Sequence, residues 1–121
     1  MSRLSSSKSA IVAALSGTLT VATTGKFSAP CVLIEPGDPW ASADNLGKRR
    51  IARWRLTLVA GRADTDGIHD TLATMIDTVD TALLTIPGLQ LPNWGRPFDG
   101  QLDGVTYAVT LATIQHITEE G

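Results

Sequence analysis

Arg49-Arg50-Ile51-Ala52-Arg53-Trp54-Arg55-Leu56-Thr57-Leu58-Val59 alternates apolar and polar side chains. Ala52, Trp54, Leu56 and Leu58 fall on one side, and Arg53, Arg55 and Thr57 fall on the other. Successive side chains of a strand point to opposite faces, so this segment reads as a half-buried strand. Further on, Ile68, Leu72, Met75, Ile76, Val79 and Leu83 recur at spacings of 4, 3, 1, 3 and 4. That is the apolar stripe of an amphipathic helix, and Pro87-Gly88 stops it. Asp64 or Asp66, in the polar turn Gly61 to Gly67, is expected to cap its start. A one-sided strand and a one-striped helix each need an apolar partner, and they can supply one another.

Upstream, Leu4, Ile11, Val12 and Leu15 suit a short helix over residues 4–16 that ends at Gly17, frayed where serines crowd its first turns. Leu19–Thr24 reads equally as a continuation of that helix or as a short strand. Cys31-Val32-Leu33-Ile34, between Pro30 and Pro36, reads as a strand buried on both faces. Pro36 to Gly47 is rich in turn residues and is expected to be a long loop. Downstream, Leu89–Leu91 reads as a brief strand, and Pro92 to Gly104 as a second turn-rich stretch. Val105, Tyr107, Val109 and Leu111 form the apolar side of a last strand. Ile114 takes over beyond Ala112, which suggests a bulge or twist there. The expected fold class is α+β: a small, mainly antiparallel sheet with two helices on one face, in the order helix-strand-strand-helix-strand-strand, as one domain over residues 1–121.

The chain has 121 residues, 43% of them hydrophobic and 18% charged, which is enough apolar material for one core and too much for wholesale disorder. No apolar run approaches the roughly 20 residues of a membrane span. Ile11–Leu15 is too short for the apolar core of a secretory leader. One cysteine excludes an intramolecular disulfide framework and an all-Cys zinc site.

Catalytic groups are sparse. His69 and His116 lack the four-residue spacing of a helical zinc pair and read as surface histidines. Cys31, between proline and an apolar strand, reads as a small buried hydrophobe rather than a nucleophile. Asp64-Thr65-Asp66-Gly67 resembles part of a calcium loop, but Arg62 and Ala73 stand where its first and last carboxylates belong. No catalytic, cofactor-binding or metal-binding residue is assigned, and the chain is not expected to be an enzyme.

Charge is distributed unevenly. Residues 1–60 carry 8 basic and 3 acidic side chains, while residues 61–121 carry 2 basic and 9 acidic ones. Lys48–Arg55 could track phosphates as a nucleic-acid-binding strand. Against this, the alternation turns Trp54 away from Arg53 and Arg55, and a solvated sheet face is the simpler reading. A protomer with one basic and one acidic side can also join copies head to tail, and such contacts close into rings.

Four stretches together resemble a known family. They are the helix ending Ile11-Val12-Ala13-Ala14-Leu15, the strand Ala29-Pro30-Cys31-Val32-Leu33-Ile34-Glu35-Pro36, the strand Trp54-Arg55-Leu56-Thr57-Leu58-Val59, and the final Tyr107-Ala108-Val109-Thr110-Leu111. With the long helix between the last two, the chain resembles the tail terminator proteins of long-tailed, non-contractile bacteriophages, in their small actinobacterial-phage form. The resemblance implies a structural virion protein of the tail–neck region, assembled in the host cytoplasm. It implies a ring of copies, six-membered in the family, on the head-proximal end of the tail tube. The ring ends tube polymerisation and meets a neck or head-completion protein, while DNA passes through without specific binding. No cofactor and no membrane are implied. A head-completion or stopper protein is the alternative within the same setting.

Interface residues are expected on physical grounds, since aromatics and arginine anchor interfaces. The candidates are Trp40, Asp44, Arg49, Arg50, Arg53, Arg55, Trp94 and Phe98, although the rings could instead fold back over the core. Asp70, Asp77 and Asp80 are candidates for an acidic channel lining that repels DNA.

Overall fold

A computed structural model describes residues 3–22, 29–43, 49–102 and 104–119; of residues 3, 43, 49, 102, 118 and 119 only the backbone is described. Seven elements follow one another: α1 (Arg3–Ser16), β1 (Thr20–Ala22), β2 (Cys31–Ala43), β3 (Arg49–Arg62), α2 (Ile68–Leu83), β4 (Phe98–Leu102) and β5 (Val105–Glu119). They form a five-stranded sheet in the order β1-β2-β3-β5-β4, antiparallel except for the short β1–β2 pair. The chain is thus α+β with a mostly antiparallel sheet, and the ambiguous Leu19–Thr24 stretch contributes the extra strand.

Both helices pack on one face of the sheet. Ile11 and Leu15 of α1, with Ile68, Leu72, Met75, Val79 and Leu83 of α2, share one core with Ala52, Trp54, Leu56 and Leu58 of β3. The apolar spacings read from the sequence therefore fall where the core is. Backbone register carries this face across the sheet in rows, Val32–Leu58–Thr110, Ile34–Leu56–Ala112 and Pro36–Trp54–Ile114.

Several expectations are corrected. The cap of α2 is Gly67, left-handed at φ 71°, with no side-chain cap from Asp64 or Asp66. The stretch after Pro36 is not simply a loop, because β2 continues to Ala43. Its pairing breaks between Pro36 and Ala41, where residues 37–40 stand opposite Arg53 alone. This bulge needs Gly37: a Cβ there would lie 2.9 Å from that of Arg53. In β5 the helix-facing residues are Ala108, Thr110, Ala112, Ile114 and His116, not the larger Val105, Tyr107, Val109 and Leu111. Helices with large apolar side chains leave room for small residues beneath them. Finally, β5 pairs without interruption past Ala112, and the bulge lies on β3, between Val59 and Gly61.

The segment between α2 and β4 runs beside β5. Its bonds are Ile117 N–H to the Gly88 carbonyl (2.9 Å), Gln90 N–H to the Gln115 carbonyl (3.0 Å) and Gly95 N–H to the Leu111 carbonyl (2.8 Å). Leu89 makes only an isolated bridge to His116, in place of the expected brief strand. Phe98–Leu102, expected to be part of a turn-rich stretch, is β4. The β5 side of the sheet is thereby covered by residues 88–95 and then by β4. On the other side, among the described residues, β1 pairs with Cys31–Leu33, and the rest of β2 carries Pro36 and Pro39. Among the described residues, no helix is long and apolar enough to cross a membrane.

Candidate interaction surface

The helix-free face is built from alternate residues of the same long strands. Its rows are Cys31–Val59–Val109–Phe98, Leu33–Thr57–Leu111 and Glu35–Arg55–Thr113, followed by the pairs Arg53–Gln115 and Ile51–Ile117. Cys31, Val59 and Val109 form a small second core at one end, with Ala29, Leu33 and Tyr107 packed around it. Burial pushes the Cys31 thiol above its ordinary pKa, so the group stays a neutral apolar filler.

Toward the other end the face turns polar. An Arg55 N–H donates to Glu35 Oε2 at 2.9 Å, both side chains being about half exposed. Arg53 donates to Ser42 Oγ at 2.8 Å. Both arginines are therefore held flat on the sheet by neighbours on β2. Trp54 lies buried on the opposite face, so the aromatic that a phosphate-tracking strand would need is not beside them. Arg50 lies on the helix side of β3 by its register. The side chain of Arg49 and all of Asp44 lie outside the described residues.

The candidate aromatics divide. Trp40, on the β2 bulge, is 44% exposed and meets Trp54 edge-on, with ring centroids 5.8 Å apart and planes at 79°. Phe98 is 45% exposed and shares the helix-free face with Val109. Trp94 instead folds back over the helix-side core, and its indole N–H donates to Asp80 Oδ1 at 3.0 Å. That bond separates Asp80 from Asp70 and Asp77, which are exposed on α2. Asp77 also lines the shallow groove between α1 and α2, with Ala14 and Thr78.

A second constellation lies under α1 and has no sequence signal. Trp54 Nε1–H donates to Ser7 Oγ at 2.9 Å, and Ser7 Oγ is 2.7 Å from His116 Nδ1. His116 Nε2 is 3.2 Å from the Pro87 carbonyl. A carbonyl can only accept, so Nε2 carries the proton, Nδ1 accepts, and the Ser7 hydroxyl donates to it. Ser7 is 1% and His116 7% exposed, which corrects the reading of His116 as a surface residue; His69 is exposed as expected. Burial lowers the His116 pKa below 6.5, with the Pro87 bond opposing that shift. Ser7 and His116 are 109 residues apart, and only the completed fold joins them.

Among the described residues, no group of three His, Cys, Asp or Glu is placed to hold a metal ion. Compared with protein-family models and with curated proteins, the chain matches none of either.

Proposed function

We propose that the protein caps the head-proximal end of a phage tail tube as a ring, ending tube polymerisation and offering a surface to a neck protein. The observation that carries this reading is the disposition of charge across the two layers. Exposed Asp70 and Asp77 lie on α2, on one side of the sheet, and Arg53 and Arg55 lie on its helix-free face. A head-to-tail contact needs two unlike, complementary surfaces on one protomer, so that copy after copy joins until the ring closes. Trp40 and Phe98 add exposed aromatic area suited to anchoring a neighbour or the tube. Such a cap works by occupying the terminal subunit-binding surface of the tube without presenting the same surface onward. The resemblance described above supports the same role.

The test is electron microscopy of lysates from the encoding phage with this gene disrupted. Overlong, irregular tails beside separate filled heads are expected. Tails of normal length beside heads that have lost DNA would make the protein a stopper instead, and normal virions would exclude both roles.

A further inference from the structure

We propose that Ser7 and His116 form an acid-sensitive latch that holds the N-terminal half of α1 on the sheet. The observation is the closed chain of donors and acceptors running from Trp54 on β3 through Ser7 on α1 and His116 on β5 to the Pro87 carbonyl. In this arrangement each donor has its acceptor while Nδ1 of His116 is unprotonated. A proton on Nδ1 turns it into a second donor aimed at Ser7 Oγ and takes from the Ser7 hydroxyl proton the acceptor it has in the closed chain. A buried polar network missing one partner is costly.

Among the described residues, the charged groups near the ring do not favour its charged form. On α1, Lys8 follows Ser7; on β3, Arg50 shares the face of Ala52, the register partner of His116. Residues 86–90 contribute the Pro87 carbonyl and no charge, and on α2 Asp80 is engaged by the Trp94 indole. Burial lowers the pKa of His116 in keeping with this. The helix itself is weakly held at this end. Ser5, Ser6, Ser7 and Ser9 are poor helix formers, and Leu4 in the first turn is partly buried against the core whereas Ile11 and Leu15, in the later turns, are fully buried. Opening the latch therefore frees the first two turns more readily than the rest of the fold.

Amide hydrogen exchange of the intact chain between pH 7 and pH 5, corrected for the intrinsic pH dependence, reads this directly. Below about pH 6.5 the α1 amides around Ser7 are expected to gain up to tenfold in exchange per pH unit, levelling off once His116 titrates in the closed state. They should remain far less protected than the amides of α2 throughout. The gain should vanish in His116→Gln and persist in His69→Gln. Imidazole nitrogen spectra of the unmutated protein give an independent reading: His116 should show the Nε2–H form and titrate below the ordinary imidazole value near 6.5. A pH-independent α1, an α1 that exchanges in step with α2 at equal protection, or a His116 that titrates at or above the ordinary imidazole value would overturn the latch.

Discussion

The two faces of the sheet come from the same three long strands and are held in different ways. On the helix side, large side chains from α1 and α2 fill the space above Leu56, Leu58, Ala108 and Ala112, and the few polar groups there are paired within the core. On the helix-free side, among the described residues, Cys31, Val59 and Val109 close one end. The remainder relies on side-chain pairs such as Glu35–Arg55. A strand can therefore contribute most of its stabilisation through one set of alternate residues and leave the other set available for contacts.

Substitutions on the two faces and at the sheet border test that division. Trp54→Ala should cost the most, about 3–5 kcal/mol for a core aromatic, with Ser7 losing a donor besides; urea unfolding gives the difference. Gly88→Ala should cost about 1–3 kcal/mol from its left-handed backbone at φ 78°. It should cost more because a Cβ there overlaps the Ile117 carbonyl oxygen, parting residues 88–95 from β5. Acidification should follow. His116 has a lowered folded pKa, so its contribution is complete above the unfolded value near 6.5 and is lost as pH falls through the folded one. A denaturation midpoint that holds constant from pH 7 to pH 5 would contradict this.

Trp94→Phe should cost about 0.5–1.5 kcal/mol, the Asp80 hydrogen bond, with the ring contact retained. Arg55→Ala, on the open face, should lie within about 1 kcal/mol of zero because the pair is half exposed and screened. If Arg55→Ala proved as damaging as Trp54→Ala, the two faces would not differ as described. If Arg53→Glu with Arg55→Glu left assembly untouched, the head-to-tail contact would be wrong.

Much of the helix side was legible in the sequence because it follows simple periods. The α2 stripe from Ile68 to Leu83 and the Ala52–Leu58 alternation both lie where their spacing put them. β5 misled because hydrophobicity and burial part company there. Thr110 is fully buried with its hydroxyl bonded to the Gly95 carbonyl at 2.7 Å, Ala112 is buried, and the small Ala108 packs in the core shared with α2. Of its larger apolar residues, Val105, Tyr107, Val109 and Leu111 lie on the side without helices, and Ile114 lies on the helix side. The extension of β2 past Pro36 was hidden by its prolines and glycine, which mark turns in isolation but here mark a bulged edge. The Ser7–His116 pair could not be read at all, since no local pattern links α1 to the end of β5.

The margins of the sheet carry one more consequence. Beyond Leu33, β2 presents Pro36, Pro39 and a four-residue bulge, while β5 is shielded by residues 88–95 and by β4, only five residues long. A proline has no amide to offer an incoming strand, and a short or bulged border gives a ladder little to grow on. Among the described residues, these borders favour recognition through side chains over strand addition. A continuous intermolecular ribbon, with its unlimited growth, is discouraged at both borders.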